Sequence, residues 1–264
     1  MIRSIYSAAT GMKAQQMYVD NISNNLANAN TVGFKKSRLE FQDLLYQNIQ
    51  EPGENISEQA VHPTGLQVGL GVQVAGNQKM FTQGNIIQTD NKFDWAIEGD
   101  GFFQIMRPDG TIGYSRDGAF KVSSEGVLVN SSGYLLEPEI SLPVDGQVDT
   151  VTIDTDGRLY IQMVGEDVTQ EFGQLEIARF VNPAGLKALG GSLYAATPAS
   201  GAPIVAKPGE ETMGVVEQGK LETSNIMIVE EMVNMIMAQR AYEICSKGVS
   251  TSDEMLQIAN QLKR

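Results

Sequence analysis

The first part of the chain carries the apolar pattern of a long amphipathic helix. Residues 2–29 contain one glycine and no proline. Apolar or small side chains recur there at heptad spacing, in two series three places apart: Ile5, Met12, Val19 and Leu26, with Ala8, Ile22 and Ala29. Both series lie on one side of a helix, which would be roughly 40 Å long. Asparagine and glycine in residues 28–33 predict where it ends, since both accept the left-handed conformation that stops helices.

The last part of the chain predicts a second long helix that is apolar around most of its circumference. Fourteen of the twenty residues in 226–245 are apolar. Thr223, Ser224 and Asn225 are predicted to cap this helix, which should run to about Leu262. Gly248 lies inside it and should weaken it by about 1 kcal/mol relative to alanine. A helix packed on a single partner needs about three apolar positions in seven, so this one requires several neighbours.

The apolar excess of the second helix predicts self-association. Four large side chains left exposed after pairing with the first helix would forgo roughly 6–12 kcal/mol, at roughly 1.5–3 kcal/mol each. That amount rivals the whole stability of a typical domain. We therefore expect other copies of the same chain to cover the helix, and the methionines suit an adaptable interface. The alternative is a monomer in which the central part of the chain covers the outer faces.

The middle of the chain has a period of two and predicts a domain of many short strands. Leu66, Val68, Leu70, Val72 and Val74 alternate with other residues, which predicts one strand with all five on one face. Short alternating runs recur at residues 95–97, 103–105, 127–129, 151–153, 159–163 and 175–177. Asp-Gly pairs predict tight antiparallel turns at residues 109–110, 117–118, 145–146 and 156–157.

These patterns predict an α+β fold, with long N- and C-terminal helices that form one coiled-coil-like domain and a central, mainly antiparallel β domain. Polar stretches with proline and glycine, at residues 51–58 and 197–209, separate the parts. The predicted divisions are an N-terminal helical domain at 1–35, an extended linker or arm at 36–65, a β-rich domain at 66–220 and a C-terminal helical domain at 221–264.

Composition and charge narrow the possible functions. The 264 residues carry a formal charge of −13, and residues 41–220 alone hold 10 basic and 24 acidic side chains, a balance of −14. An acidic chain repels phosphate backbones, so no nucleic-acid partner is expected. A single cysteine, Cys245, excludes an intramolecular disulfide framework. Charged residues interrupt the apolar run at 226–245, so no membrane span is expected there. Polar residues interrupt the apolar residues of the amino terminus, so no cleaved signal peptide is expected.

Candidate chemistry is sparse, and the sequence predicts no catalytic residue, cofactor or metal. His62 is the only histidine and precedes a proline, so a surface position is favoured over a catalytic triad. Residues 154–157 resemble the start of a calcium loop but lack the downstream glutamate, so a hairpin turn is favoured. The glycine pairs in 69–71 and 99–101 lack the rest of a phosphate-binding motif and suit bends in strands.

Five ordered sequence blocks resemble the family of bacterial flagellar rod and hook proteins. They are NNLANANTVGFK at 24–35, QGN at 83–85, DWAIEGDGFF at 94–103, YSRDG at 114–118, and MI with QRAYE within 235–243. They cover both ends and the start of the middle. The segment from residues 43–47 through 63–69 is similar to the distal-rod subtype in particular.

The resemblance implies a structural subunit of the distal rod. It implies a helical tube of many copies that transmits motor torque to the hook and filament and encloses the export channel. It further implies terminal helices in the inner layer, an outward β domain, and residues 46–64 as a bridge between subunits. Another axial subtype, proximal rod or hook, is the nearest alternative. An oligomeric extracellular binding module accounts for the strands but not for the paired helical ends, and an enzyme is the least supported class.

The resemblance also implies where the protein acts and what it meets. It implies a place in the flagellar basal body, reached through the flagellar type III export apparatus without a cleaved signal. Expected partners are further copies of the chain, proximal rod and hook or junction proteins, and outer bushing rings. The residues predicted at subunit interfaces are Ile5, Met12, Val19, Ile22, Leu26, Asn28, Gly33, Phe34, Tyr46, Pro52, Pro63, Ile228, Met232, Met235, Ile236, Arg240 and Tyr242.

Overall fold

The computed structural model describes residues 2–51, 55–57, 60–61, 64–142, 148–163, 169–210 and 212–261. Helices α1 (Ile2–Ala27) and α2 (Ile228–Gln261) lie at the two ends, and a short 3-10 helix covers Pro183–Gly185. The strands are β1 (Ser37–Asp43), β2 (Tyr46–Gln50), β3 (Asn55–Ser57), β4 (Ala60–Val61), β5 (Leu66–Gly69), β6 (Val72–Lys79), β7 (Ile86–Gln88), β8 (Trp95–Glu98), β9 (Phe102–Met106), β10 (Ile112–Ser115), β11 (Lys121–Val122), β12 (Leu128–Val129), β13 (Leu135–Glu137), β14 (Val148–Ile153), β15 (Arg158–Met163), β16 (Thr169–Gln174), β17 (Ile177–Arg179), β18 (Lys187–Gly190), β19 (Leu193–Ala195), β20 (Ile204–Ala206), β21 (Val215–Gln218) and β22 (Lys220–Glu222). The predicted α+β class, with terminal helices and a central antiparallel β region, is confirmed.

The chain divides into two compact units. The helical unit consists of Met1–Ala27, Ser37–Gln78 and Met227–Arg264. The β unit consists of Asn28–Lys36 and Lys79–Ile226. The chain therefore passes between the units four times, after residues 27, 36, 78 and 226.

In the helical unit, α1 and α2 form an antiparallel pair. The hydroxyls of Ser4 and Ser252 lie 3.2 Å apart near one end of the pair. Near the other end, the Asn25 amide donates to a Glu231 carboxylate oxygen at 3.3 Å. The two helices therefore stay in constant antiparallel register between these contacts, as in an antiparallel coiled coil.

Small residues set the spacing between the two helices. A Cβ on Gly11 would lie 3.1 Å from the Cys245 sulfur, so no larger residue fits there without movement. A Cβ on Gly248 would lie 3.8 Å from that of Ala8, an ordinary contact distance. α2 runs through Gly248 without interruption. At these two positions the close approach of the helices therefore depends on short side chains.

The predicted single strand over residues 66–74 is wrong. The structure has two strands there, β5 and β6, with Gly71 between them at φ +117°. The Val72 amide donates to the Thr10 hydroxyl at 3.4 Å, and a Cβ on Gly71 would clash with that hydroxyl. Contact with α1 breaks the strand because glycine permits both the turn and the close approach. β5 pairs with β2, and β6 pairs with β1.

The β unit is built around a nine-stranded sheet. Its main path runs β11-β12-β13-β9-β10-β19-β18, and β17 pairs with both β9 and β20. A separate three-stranded sheet has the order β14-β15-β16. Two ribbons complete the unit, β8 with β21 and β7 with β22, and these pairings are antiparallel.

The core of the β unit is aromatic and aliphatic. The Phe120 ring lies 5.3 Å from that of Trp95 in a tilted contact and 5.2 Å from that of Phe103 in an edge-to-face contact, and all three rings are almost completely buried. Aliphatic side chains such as Leu128 and Ile161 fill the space between the sheets. This continuous core fits the alternating runs of the sequence, since each run places its apolar members on one face.

Two further local predictions are wrong. Asp117-Gly118 is not a hairpin turn, because the strand before it, β10, pairs with β9 and β19, whereas the strand after it, β11, pairs with β12. Gly118 instead accepts a hydrogen bond from the Trp95 amide at 3.0 Å. Residues 175–177 do not form one strand: β16 ends at Gln174 and β17 begins at Ile177. The predicted turns at 109–110 and 156–157 do connect adjacent paired strands. The turn predicted at 145–146 lies outside the described residues.

The predicted cap of the second helix is also wrong. α2 begins at Ile228, and the first helical bond runs from the Glu231 amide to the Met227 carbonyl. Asn225 instead receives a hydrogen bond from the Lys36 amide at 2.8 Å. Its side chain serves the β unit, and the sequence pattern of a cap does not distinguish these two uses.

Candidate assembly surfaces and a buried polar cluster

The second helix leaves most of its large apolar side chains in solvent. Of its 34 residues, three are buried, and Ala238 is the only apolar one among them. Exposed large apolar residues of the segment are Met227, Ile228, Val229, Met232, Val233, Ile236, Met237, Tyr242, Ile244, Met255 and Ile258. Of the residues predicted at interfaces, Ile228, Met232, Ile236 and Tyr242 are therefore exposed, Met235 is half-buried, and Arg240 is exposed and paired with Glu243 at 2.9 Å.

The first helix presents a second, smaller apolar surface. Among the predicted residues, Ile22 is buried, whereas Ile5, Met12, Val19 and Leu26 are half-buried. The prediction did not include Ile2, Tyr6 and Met17, which are exposed. They fall outside the heptad series, so spacing gave no signal for them.

A third apolar surface lies on the strands that follow α1. Tyr46 is 55% exposed and its ring lies against Gly69 on the paired strand β5. Exposed neighbours in the same ribbon are Leu45, Ile49 and Leu66. Pro52 and Pro63, also predicted at interfaces, lie outside the described residues.

The β unit buries an ionic triad of Lys35, Arg116 and Glu222. The Lys35 ammonium donates to Glu222 Oε1 at 2.6 Å and to the Thr82 carbonyl at 2.8 Å. The Gly84 amide donates to the same carboxylate oxygen at 2.7 Å. Lys35 and Glu222 are 0% and 1% exposed, so this pair is wholly desolvated.

Arg116 supplies the second cation to that carboxylate. Its guanidinium lies 3.4 Å from Glu222 Oε2 and donates to the Gly99 carbonyl at 2.7 Å. It also lies 5.3 Å from the centroid of the Phe102 ring, a cation–π distance. Since Arg116 is 3% exposed, the triad holds two buried cations for one buried carboxylate.

Burial and charge shift the ionisation of the groups around the triad. Desolvation lowers the pKa of Lys35 and of Arg116, while the Glu222 carboxylate acts against both shifts. Burial, with a contribution from Glu222, raises the pKa of Tyr194 from 10.0 to about 12. Removing or adding one charge in this cluster should therefore change the stability of the β unit strongly.

The residues that follow α1 are fixed to this triad. The Gly33 amide donates to the Glu222 carbonyl at 2.9 Å, and Gly33 has φ +67°. A Cβ there would lie 2.5 Å from the Asp117 nitrogen, so the position demands glycine. Lys79 lies over the Phe34 ring at 4.4 Å. Of the predicted interface residues in this run, Gly33 is buried, and Asn28 and Phe34 are half-buried.

Asn225 completes the arrangement, and we call Lys35, Arg116, Glu222 and Asn225 the connector cluster. The Asn225 side chain accepts from the Lys36 amide and donates to the Met80 carbonyl, both at 2.8 Å. Sequence analysis named no member of the cluster as a site residue. Two of the resembling blocks contain Lys35 and Arg116, but nothing in the pattern marks Glu222 beyond a charge in a short alternating strand.

The candidate chemical sites of the sequence can be compared with the described residues. Among the described residues, no group of three His, Cys, Asp or Glu side chains is close enough to hold a metal ion. Residues 154–157 form a turn closed by the Gly157 amide and the Asp154 carbonyl at 2.9 Å, which confirms the hairpin prediction. His62 lies outside the described residues. Neither helix, over its described length, is apolar enough to cross a membrane.

Three protein-family models match separate parts of the chain. The flagella basal body rod protein model matches residues 5–35, and the flagellar hook protein FlgE/F/G D1 domain model matches residues 96–161. The flagellar basal body rod FlgEFG protein C-terminal model matches residues 217–262. Each matched segment contributes one member of the buried triad.

Curated relatives align over the whole chain. It is 50% identical over 264 residues to the flagellar basal-body rod protein FlgG of Borreliella burgdorferi, with both chains fully covered. It is 38% identical over 270 residues to the protein of the same name in Bacillus subtilis, again with full coverage. The flagellar hook-basal body complex protein FlhP of that organism is 29% identical over 274 residues, also fully covered.

Proposed function

Because the chain belongs to the family of flagellar basal-body rod proteins, we propose that it is a structural subunit of the distal rod. Copies assemble through their terminal helices into a helical tube that transmits motor torque to the hook and filament and encloses the export channel. Within one organism, similarity to the rod protein exceeds similarity to the hook-basal body complex protein, which favours the rod over other axial subtypes. Family members are named as rod proteins, and no enzymatic role is proposed.

The observation that carries the proposal is the exposed apolar surface of α2. Ile228, Met232, Ile236 and Tyr242 are between 41% and 56% exposed in the single chain. Because about half of each side chain is already covered, complete burial would add roughly 0.7–1.5 kcal/mol per side chain. Because these contacts would repeat in every subunit, their sum would make the tube resist twisting.

The test is to place a charge in that surface. Ile236→Asp should abolish tube formation at high protein concentration, because a buried unpaired carboxylate costs more than the lost contact. Folding of the monomer should be unaffected, since the position is exposed in it. Negative-stain electron microscopy and sedimentation measure assembly, and circular dichroism measures folding.

The matched control is Val181→Asp, which changes a 79% exposed valine in the β unit. It should leave assembly unchanged. Tubes of normal length from Ile236→Asp would contradict the proposal. So would wild-type protein that stays a rigid monomer at millimolar concentration, with strong hydrogen-exchange protection across residues 226–245.

The exposed ribbon of β2 and β5 is proposed as a second set of subunit contacts. Leu45 and Tyr46, 84% and 55% exposed, provide apolar anchors, together with Ile49 and Leu66. Residues 46–64 would then bridge neighbouring subunits, with Pro52 and Pro63 as part of the bridge. The remaining predicted contacts, from Ile5 to Phe34 on α1 and the run after it, would support the inner layer.

Deletion of residues 46–64 tests the bridge. The shortened chain should fold and assemble, because the α2 surface is untouched, but its tubes should bend more readily. Electron micrographs give the bending stiffness from the curvature of the tubes. Unchanged stiffness would contradict the bridging role while leaving assembly through the helices intact.

The proposal also implies what the subunit meets. At its ends the tube would join proximal rod and hook or junction proteins, and outer bushing rings would surround it. The chain would reach its place through the flagellar type III export apparatus. Localisation to the flagellar basal body follows from family membership, and none of these contacts requires nucleic acid.

A further inference from the structure

The four passages of the chain between its two units are anchored at one place inside the β unit. Three segments carry them: residues 28–36, residues 79–85 and residues 222–226. Residues 28–36 and 222–226 supply members of the connector cluster, and residues 79–85 form hydrogen bonds with those members. The cluster thereby brings together segments that are distant in sequence, with 187 positions separating Lys35 from Glu222.

Backbone hydrogen bonds tie the first two segments to each other. The Met80 amide donates to the Lys36 carbonyl at 2.9 Å. The Lys79 ammonium donates to the Lys35 carbonyl at 3.0 Å. The Lys35 ammonium donates to the Thr82 carbonyl, so each of the two segments donates hydrogen bonds to the other.

The third segment is tied to both of the others. Glu222 accepts from Lys35 in the first segment and from the Gly84 amide in the second. Asn225 likewise bonds Lys36 in the first and Met80 in the second. Arg116 then joins the set to the strands of the sheet through the Gly99 carbonyl.

We propose that the connector cluster is a clamp that holds the connecting segments in fixed register, so that a twist applied to one of them is passed to the others. This inference rests on the proposed function, since it assigns the cluster a place in torque transmission. Without the clamp, each segment would absorb load by local bending. Lys35, Arg116, Glu222 and Asn225 act as positioning residues and touch no ligand.

The triad has two cations and one carboxylate, so the clamp predicts different effects for different charge-removing variants, which a role in packing alone would not. Glu222→Gln leaves two buried cations without a carboxylate, whereas Lys35→Met leaves Arg116 balanced by Glu222. Removing one partner of a buried pair is costly because the other charge stays buried and unpaired. Glu222→Gln should therefore open the clamp far more than Lys35→Met. In the Glu222→Gln background, Lys35→Met should partly restore it.

Four backbone amides report on the clamp by hydrogen exchange, measured on the full-length monomer. They are those of Gly33, Lys36, Met80 and Gly84, each of which donates to a group of the connecting segments. Glu222→Gln should speed their exchange by at least about tenfold, while core amides such as Ile105 keep their protection. The matched control is Glu217→Gln, which removes a partly exposed pair with Lys220 and should change nothing.

Two results would overturn the clamp. One is exchange at the four amides in Glu222→Gln equal to that in Glu217→Gln. The other is a double variant, Lys35→Met with Glu222→Gln, that exchanges faster than Glu222→Gln alone. If Glu222→Gln does not fold, Asn225→Ala decides: it keeps every charge and should speed exchange at Lys36 but not at Gly84. Equal rates in Asn225→Ala and wild type at Lys36 would also overturn it.

The mechanical part has its own readout. Tubes assembled from Asn225→Ala should have a bending persistence length at least about twofold shorter than wild-type tubes, since the α2 surface is unchanged. Wild-type stiffness in these tubes would overturn the role in transmission. Failure of wild-type protein to form tubes would count against the proposed function, while the exchange pattern of the monomer would still decide whether the clamp exists.

Discussion

The two units of this chain bury very different amounts of apolar surface. Among the described residues, 27 apolar side chains are buried in the β unit, and four are buried in the helical unit: Ala14, Ile22, Leu39 and Ala238. The helical unit nevertheless holds many of the large exposed apolar side chains. The β unit carries its own core, whereas the helical unit has the composition of a core without the neighbours to form one.

The difference teaches how one chain separates folding from assembly. A filled core makes the β unit stable before any partner is met. Short residues lie between α1 and α2, and many of the larger apolar side chains of this unit are exposed to solvent, where the proposed assembly would cover them. The predictions below test how far the units differ.

Removing a core aromatic should have the largest effect. Phe103→Ala is expected to destabilise the monomer by about 3–5 kcal/mol, because it leaves a cavity beside Trp95 and Phe120. Ile236→Ala on α2 should change monomer stability by less than about 0.5 kcal/mol. Urea unfolding measures both, and equal losses would show that the helical unit has a core of its own.

The next largest effect should come from adding a methyl group where the backbone is crowded. Gly118→Ala places a Cβ against the Trp95 carbonyl and should cost about 3 kcal/mol. Gly76→Ala in β6 of the helical unit meets no atom within 4 Å. It should lie between no change and about 1 kcal/mol of stabilisation. Thermal unfolding compares the two, and tolerance of Gly118→Ala would contradict the close packing described for the β unit.

Alkaline pH should destabilise the β unit through Tyr194. Its pKa is raised from 10.0 to about 12, so the unfolded chain ionises first. Below pH 10 the neutral hydroxyl contributes fully, and between pH 10 and 12 stability should fall by up to about 2–3 kcal/mol. In Tyr194→Phe the stability should therefore fall less between pH 10 and 12 than in the wild type, whereas in Tyr6→Phe on α1 it should fall as much as in the wild type. Identical pH profiles for wild type and Tyr194→Phe would contradict the burial of this group.

The smallest effect is a gain within the helical unit. Gly248→Ala should stabilise α2 by about 0.5–1 kcal/mol, because its Cβ would meet Ala8 at an ordinary 3.8 Å. Gly11→Ala is the matched control, since its Cβ would lie 3.1 Å from the Cys245 sulfur and the crowding offsets the gain. Hydrogen exchange along α2 measures both, and equal gains would mean that the helices are not closely packed at Gly11.

Much of the fold was predictable because its signals are local. The extents of α1 and α2 follow from apolar spacing, and five of the 22 described strands, β8, β9, β12, β14 and β15, coincide with predicted alternating runs. The prediction of exposed apolar surface on α2 depended only on counting, and the structure bears out that exposure. Whether copies of the chain cover that surface stays a proposal.

What sequence reasoning missed depends on contacts between distant segments. The break at Gly71 arises from Thr10, and the role of Gly118 arises from the Trp95 carbonyl. Asn225 has the chemistry of a helix cap but bonds Lys36 instead. Glu222 is a single carboxylate in a short strand, and its importance follows only from the two cations that the fold brings to it.

The long sequence separation between Lys35 and Glu222 means that the two residues are synthesised at different times. A ribosome adding about 5–20 residues per second needs roughly 10–40 s to produce the 187 positions between them. During that interval the early segment has no carboxylate to meet, so the nascent amino terminus stays pliable. Residues that are synthesised late thus complete hydrogen bonds with residues that are synthesised early.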